Sequence, residues 1–468
     1  MTIMNDLKSR KVAVIGAGPA GFYAALELLK RPSIQVDVID KLPTPFGLVR
    51  YGIAPDNQRM KTVSKVFSGL FDESRRLRFI GNVDFGTDLA RDDVLDHYDS
   101  VVYATGAPSA RLLGVAGENL PGSFSAKDFV DWYNGHPFRD IRDFSLDFAA
   151  VAVVGGGNVA LDIARMLANE IDVVRSTDVP DDVLKAFEGN AAKDIYLLVR
   201  KGPVQAKFTP VELRGLGNLR NVDVIVDPKD LVFTEEELAY ISGNQQCRTN
   251  IDIFKSIAKR PLRGHEKRIF IKFWCSVAEI GGEQRVQWLK LRSNRVSVGN
   301  TQETVGKADM EKIPVDAVFS AIGQIVRPLR GVPFDERKSV IPNVGGQVVD
   351  QNGKLLPGEF VSGWAKRGPS GTVGTNREDS KQTVNALLES WEGPHEHTPR
   401  RGAADITELL RQRGVRFTCW QDWLRIDEVE VAAGAEQGRI RAKLSSLSGM
   451  MGCLKNGPPG LPDGSAAA

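Results

Sequence analysis

Cysteine is scarce in this 468-residue chain, and its four copies, Cys247, Cys275, Cys419 and Cys453, lie far apart with no C-x-x-C pair. That spacing argues against zinc or iron–sulfur ligation within the chain and against a dithiol relay. It reads as four reduced thiols of a cytoplasmic protein. Histidine is also rare; His395 and His397 share a Pro-flanked loop without companion ligands, so no metal site is expected. Long apolar runs are missing too. None approaches the roughly 20 residues of a membrane helix, so no membrane insertion is expected. About ten residues precede the first apolar strand, fewer than a leader peptide needs. The formal net charge of +2 leaves no global polycation. Lys255, Lys259, Arg260, Arg263, Lys267 and Arg268 do cluster, interrupted only by Glu266. The cluster lacks the interleaved aromatics of a base-stacking platform, so no nucleic-acid partner is expected. It is either a solvated loop or a surface for an acidic partner.

Against these absences stand 46 glycines, several in a specific arrangement. Lys11–Ile15 reads as a short strand, followed by Gly16-Ala17-Gly18-Pro19-Ala20-Gly21, a helix to about Lys30, and a strand Gln35–Asp40. This is G-x-G-x-x-G between strand and helix, with an acid closing the next strand. Gly16 permits the tight turn, Gly18 leaves room for a pyrophosphate, and Gly21 lets the helix pack close to the strand. The helix N-terminus offers free N–H groups to an anion. Asp40 can accept hydrogen bonds from ribose hydroxyls. The spacing predicts a dinucleotide site.

The pattern restarts after a strand at Ser100–Ala104. Strand Val151–Val154 leads into Gly155-Gly156-Gly157-Asn158-Val159-Ala160, a G-x-G-x-x-A turn, and a helix to about Ala168. The later strand Ile195–Val199 ends in Arg200-Lys201 where an NAD site would carry an acid. A guanidinium grips a 2′-phosphate that a carboxylate would repel, so the pair points to NADP(H). The alternative is a solvated basic pair at a strand end. The gap from Ala160 to Arg200 exceeds the usual one and calls for an extra helix, with Asp181–Phe187 as candidate. Ala104-Thr105-Gly106 and Ala321-Ile322-Gly323, the latter ending strand Asp316–Ile322, echo one another and mark where the second unit enters and leaves the first.

The expected architecture is therefore α/β, two Rossmann-like dinucleotide-binding domains, the NADP domain inserted into the FAD domain. The FAD-binding domain spans residues 1–108 and 323–454, and the NADP-binding domain residues 109–322. The stretch Gly402–Gly414 reads as a late helix with Asp405 as N-cap, Glu408 completing a capping box and Gly414 ending it. Residues 455–468, rich in Gly, Pro and Ala, read as a flexible tail.

Longer blocks carry a family resemblance. The run from Lys41 to Asp56 (KLPTPFGLVRYGIAPD), the triplet Gly81-Asn82-Val83, the run from Phe208 to Arg214 (FTPVELR) and the run from Ser362 to Val373 (SGWAKRGPSGTV) together resemble the adrenodoxin reductase family of FAD-containing NADPH–ferredoxin reductases. The resemblance implies FAD contacts from Pro19, Ala20, Asp40, Leu48, Val83, Trp364, Gly371, Thr372 and Val373. It implies NADP contacts from Gly156, Gly157, Asn158, Val159, Arg200, Lys201, Glu212 and Gly371. On the residues alone, Gly371 would let nicotinamide approach the flavin, and Trp364 is either a flavin neighbour or plain core. The sequence departs from the family in three places. Asn57 follows Pro55-Asp56 where His is usual, Gly215 follows Glu-Leu-Arg where Glu is usual, and Lys201 stands where Arg is usual. Asn57 and Trp364 are the candidates for positions near the reacting atoms.

The implied activity is hydride transfer from NADPH to FAD, then single-electron transfer to an acidic ferredoxin-type iron–sulfur protein, with a cytochrome P450 system as one destination downstream. Arg214 joins the basic cluster as a docking candidate. Hydride transfer needs alignment and no protein acid or base. A flavin monooxygenase and a non-catalytic FAD/NADP-binding redox sensor are the competing readings.

Overall fold

The computed structural model describes residues 9–141, 143–296, 304–392, 397–401 and 404–454. The readings for His395, Gly402 and the tail 455–468 lie outside those residues.

Two sheets organise the chain. The first has seven strands, in spatial order Asn343–Val344, Gln347–Val349, Leu355–Val361, Ser100–Tyr103, Arg10–Ile15, Ile34–Ile39 and Leu77–Ile80. The last five run parallel, with Ile15 level with both Ile39 and Tyr103. Strand order reverses between Arg10–Ile15 and Ser100–Tyr103, which opens a crevice beyond their carboxyl ends. The two central strands bury Val12–Ile15 and Val101–Tyr103 because both faces of the sheet are covered. Val12 and Val14 join one buried cluster, under the helices Pro19–Leu29 and Thr375–Ser390; Ala13 and Ile15 join the opposite cluster with Val348, Val361 and Ile406. That alternation is the two-residue period of a strand.

After Tyr103 the chain leaves this sheet and builds a second one before returning. Six parallel strands lie in the order Ser123–Ser125, Ala317–Ser320, Ala150–Val154, Asp194–Leu198, Lys267–Lys272 and Val222–Val226. The order reverses between Ala150–Val154 and Ala317–Ser320, so the second crevice repeats the first. The two crossings lie side by side, Ser109–Ala110 pairing antiparallel with Gln324–Ile325. The second unit is thus an insertion between the two segments that build the first sheet.

One element escapes the sequence patterns. The strands Cys275–Gly281, Trp288–Val296 and Thr304–Pro314 form an antiparallel sheet with two register shifts. It covers the face of the second sheet bearing Ala152, Val154 and Leu198, where a doubly wound fold ordinarily places helices. The other face, with Val151 and Val153, packs on helix Asn158–Ala168 and an aromatic group around Phe129.

The expected elements appear with shifted ends. The late helix is Ile406–Gln412 rather than 402–414. Asp405 caps it through Thr407 N–H at 3.0 Å, and Gly414 ends the turn at φ +71°. The capping box does not form, because Glu408 accepts from Arg411 and Gln412 instead. The last strand of the second sheet is Ala317–Ser320, shorter than the 316–322 expected, because the chain turns away at Ala321 over Gly155. The extra helix is present as Asp181–Glu188, with a further short one at Ile171–Arg175.

Phe129 has no exposed surface and sits 4.6 Å from Phe319 and 5.4 Å from Trp132, ring centroid to centroid. Phe129→Ala is expected to lose about 3–5 kcal/mol, read as a lower denaturant midpoint for the second unit. A shift equivalent to under about 1 kcal/mol would mean that this aromatic group is not the core.

Candidate functional site

At the first crevice, Gly16 (φ +113°) lies so close to the neighbouring strand end that a Cβ would stand 2.5 Å from the Ala104 carbonyl oxygen. A Cβ on Gly21 would stand 2.0 Å from the Gly16 carbonyl, so helix and strand touch there, as the spacing predicts. Gly18 and Gly106 instead face open space, with no atom within 4 Å of a Cβ. Neither position would therefore obstruct a ligand lying at the N-terminus of helix Pro19–Leu29.

Asp40 closes this turn from below. Its carboxylate accepts from Ala17 N–H at 2.5 Å and Leu42 N–H at 2.8 Å. Burial pushes its pKa up to about 6, against those two N–H groups. Each oxygen keeps a second lone pair for a ribose hydroxyl. The Lys41–Asp56 block rests on the same turn. Phe46, forced to φ +83°, donates its N–H to Ala17 O at 2.8 Å, and Gly47 passes so near Gly18 that a Cβ would meet its Cα at 2.9 Å. Such a conformation in a bulky residue marks a turn that its surroundings over-determine. Leu48 follows, 38% exposed, and Val83 is buried with its N–H on Asp40 O at 2.9 Å.

The Ser362–Val373 block returns from the far end of the sequence to this point. Ser380 Oγ donates to Ala20 O at 2.9 Å, and a Cβ on Gly363 (φ +73°) would stand 2.5 Å from Ala20 Cβ. Trp364 is half-buried, its indole N–H held by Ser370 O at 3.0 Å. Gly371 (φ +82°), Thr372 and Val373 lead into helix Thr375–Ser390, whose Thr375 Oγ1 accepts from Thr372 N–H at 3.0 Å. The structure thus brings Pro19, Ala20, Trp364 and the Gly371–Val373 turn to one side of the molecule.

The second crevice follows the same plan. A Cβ on Gly155 would stand 2.5 Å from Ala321 O, the counterpart of Gly16 against Ala104, while Gly157 and Gly323 face open space. Ser320 Oγ and Gln324 Oε1, flanking Gly323 in sequence, are buried without hydrogen-bond partners. Open glycines and unpartnered polar atoms fit a polar ligand at this strand end. Asn158 accepts from Thr209 N–H at 2.9 Å, tying the Phe208–Arg214 loop to the Gly turn, and Val159 is 40% exposed. Arg200 is exposed and Lys201 half-buried, and neither enters an ion pair among the described residues. Two uncommitted cations at this strand end favour an anion over a structural role.

Glu212 is placed differently from a simple coenzyme contact. It is buried, taking Arg165 at 2.8 Å on one oxygen and Asn57 Nδ2 at 2.8 Å on the other. Arg165 also clasps Asp56 at 2.6 and 3.0 Å and Asp162 at 2.8 Å. Asp56 and Asn57 belong to the first unit, and Arg165, Asp162 and Glu212 to the second. One guanidinium therefore ties the two crevices together. Sequence reasoning missed Arg165; its only signal was an arginine on the buried side of the mostly apolar helix Asn158–Ala168. A second lock lies nearby, where Asp178 holds Lys61 at 2.7 Å and Lys443 at 3.1 Å, all three buried. Burial lowers both lysines, and the two ammonium groups outweigh burial to lower Asp178.

The thiols play no visible part. Burial raises Cys275 to about 12 and Cys419 to about 11, which leaves them protonated and unreactive near neutrality. No group of three or more His, Cys, Asp or Glu residues could hold a metal ion among the described residues.

Two open switch-point crevices, one acidic and one basic, joined by a buried ionic clasp, define a two-dinucleotide oxidoreductase. A family model for pyridine nucleotide-disulphide oxidoreductases matches residues 10–204. The chain is 37% identical to the NADPH-ferredoxin reductase FprA of Mycobacterium tuberculosis, over 94% of this chain and 98% of that protein. It is 35% identical to the human mitochondrial NADPH:adrenodoxin oxidoreductase, over 96% of this chain and 92% of that one. The solved complex of the mycobacterial FprA with NADPH superposes with a TM-score of 0.89, covering 95% of this chain and 99% of that one. The chain belongs to the adrenodoxin reductase family of NADPH–ferredoxin reductases.

Three carboxylates share Arg165, and this shows in Asp162. Burial, with Glu212 and Asp56 nearby, pushes its pKa up to about 7 despite Arg165. A raised carboxyl pKa contributes stability that is complete below about pH 4, near the unfolded value, and is lost as pH rises through about 7. Asp162→Asn keeps an oxygen for Arg165 and removes the charge. The variant is expected to melt above the parent at pH 8, with the gap closing towards pH 4. A variant less stable than the parent at pH 8 would show that the charge holds the clasp together.

Proposed function

We propose that the chain is an FAD-dependent NADPH–ferredoxin oxidoreductase. The observation that carries this reading is the pairing of an acid-closed crevice with a basic one across the Asp56–Arg165–Glu212 clasp. Bound FAD would accept a hydride from NADPH and release electrons singly to an iron–sulfur protein. The chain's own residues bind and align. Gly16, Gly18, Pro19, Ala20 and Gly21 would seat the FAD pyrophosphate, with Asp40 on the ribose and Leu48, Val83, Trp364, Gly371, Thr372 and Val373 around the flavin. Gly156, Gly157, Asn158 and Val159 would seat the coenzyme pyrophosphate, and Arg200 and Lys201 its 2′-phosphate. Glu212 would act by fixing the nicotinamide-side loop to Arg165 and Asn57. Asn57 is amide rather than imidazole, yet its hydrogen bond to Glu212 joins the same two units. That supports alignment as intact and favours turnover over a silent sensor.

The partner is an iron–sulfur protein of ferredoxin type, acidic in this reading, in the cytoplasm. The basic loop is poorly placed to receive it. Residues 259–266 precede strand Lys267–Lys272 and lie at the amino edge of the second sheet, since Arg268 pairs with Asp194 and Lys272 with Leu198. The Gly turn of this sheet opens at the carboxyl edge, roughly 17 Å away at about 3.3 Å per residue. Much of the loop's charge is also engaged. Arg268 is bidentate to Asp194, Lys267 donates to Leu167 O at 3.0 Å, and Arg260 donates to Gly217 O. Neutralising Lys259 and Arg263 is therefore expected to leave ferredoxin reduction within about twofold, whereas a loss spared by a small dye would place the partner on this loop.

The coenzyme assignment is tested by the double change Arg200→Ala with Lys201→Ala. Charged hydrogen bonds are worth about 1.5–3 kcal/mol each, so kcat/KM for NADPH with ferricyanide should fall by on the order of a hundredfold or more. NADH use and flavin content should hold. A parallel fall for both coenzymes would assign the pair to the unit's structure.

A further inference from the structure

The turn bearing Arg200 and Lys201 is held from behind with unusual completeness. Three successive carbonyl groups are captured by one side of the molecule. Val199 O accepts from Cys275 N–H at 3.2 Å, Arg200 O from Asn294 Nδ2 at 3.0 Å, and Lys201 O from Trp274 N–H at 3.2 Å. The next residue, Gly202, lies under the Trp274 indole so closely that a Cβ there would meet Cζ2 at 2.0 Å. All the donors and the indole come from the antiparallel sheet and its entry, the element that replaces helices on this face.

The two key donors are themselves built for this. Trp274 has φ +56°, a left-handed conformation that a bulky residue rarely adopts. Asn294 is 2% exposed and lies at a register shift between Trp288–Val296 and Thr304–Pro314, a place where bulges redirect side chains. Its own carbonyl oxygen is fixed by Ser276 Oγ at 3.1 Å, and its N–H donates to Trp274 O at 2.6 Å. Every polar group of the side chain is thereby committed, with the amide N–H₂ aimed at Arg200 O.

We infer that Trp274 and Asn294 are positioning residues for coenzyme choice: they pin the Arg200-Lys201-Gly202 backbone so that its carbonyl dipoles point away from the bound anion and its two cations point towards it. The inference rests on the assignment of Arg200 and Lys201 to the 2′-phosphate. The physical reason is preorganisation. A carbonyl oxygen free to swing towards a phosphate repels it, and a mobile turn must be ordered at the moment of binding. Neither Trp274 nor Asn294 needs to touch the phosphate for this.

The test uses the FAD-loaded full chain and calorimetric titration with adenosine 2′,5′-bisphosphate, with 5′-AMP as the control that lacks only the 2′-phosphate. Asn294→Ala is expected to weaken the bisphosphate on the order of tenfold, about 1.4 kcal/mol, and to leave 5′-AMP within twofold. In turnover the effect should fall on KM for NADPH, with kcat and NADH use held. Trp274→Gly, which tolerates φ +56° and keeps its N–H, should show a smaller loss of the same kind, and Trp274→Phe should restore most of it. Flavin content and melting temperature confirm that each variant is folded. Equal weakening of both nucleotides would overturn the inference in favour of a merely structural role. So would unchanged bisphosphate affinity in both variants, provided Arg200→Ala with Lys201→Ala abolishes it. If that double variant also binds normally, the phosphate assignment itself fails, and the positioning role falls with it.

Discussion

Arg165 is the interaction on which the rest depends. It is buried with three carboxylates, from both units, within salt-bridge distance. Taking a guanidinium and its partners out of water is expensive, and removing the one cation would leave buried carboxylates unpaired, a loss that typically costs about 3–5 kcal/mol. What the arrangement supplies is geometry. Two dinucleotide crevices can cooperate only if their carboxyl edges face one another, and a bidentate fork on Asp56 with a further bond to Glu212 fixes both distance and rotation. The Lys61–Asp178–Lys443 group does the same at a second point and draws in the segment after helix Trp420–Glu436. Two separated locks resist rotation better than one.

Each crevice obeys one local constraint, met twice. A glycine after the first strand must pass against the carbonyl of the neighbouring strand end, Gly16 against Ala104 and Gly155 against Ala321, while Gly18 and Gly157, two residues on, stay open. That contact holds the strand ends together and leaves the helix N-terminus facing empty space. The chemistry then diverges through the residue after the adjoining strand: Asp40 in one unit, Arg200 and Lys201 in the other. Asp40 also shows that an acid chosen for a ribose is first a structural brace, since both oxygens already hold backbone N–H groups.

Much of this was legible in the sequence because strand, Gly turn and helix are local in sequence. Both crevices, the insertion and the acidic and basic ends follow from spacing alone. Long-range partners were not legible. Arg165 meets Asp56 across 109 residues and Trp274 meets Gly202 across the second unit, and no periodicity announces either. The antiparallel sheet was missed because its strands sit in a polar, charge-rich stretch without clean alternation. The basic loop was left with two readings for a different reason. Charge can be counted in a sequence, but whether it lies at the amino or carboxyl edge of a sheet is settled only by register. Gly215, which departs from the family, is exposed on helix Pro210–Gly217 with open space around a Cβ, so that position affects the helix surface and not the packing.

The central claim is that the two clasped crevices place NADPH against FAD for direct hydride transfer. The most direct measurement is anaerobic rapid mixing of the FAD-loaded protein with a slight excess of NADPH, followed at the flavin's oxidised absorbance band without any acceptor. The expected result is complete single-turnover bleaching, far faster with NADPH than with NADH at equal concentration. Flavin that stays oxidised in the presence of bound NADPH would contradict it.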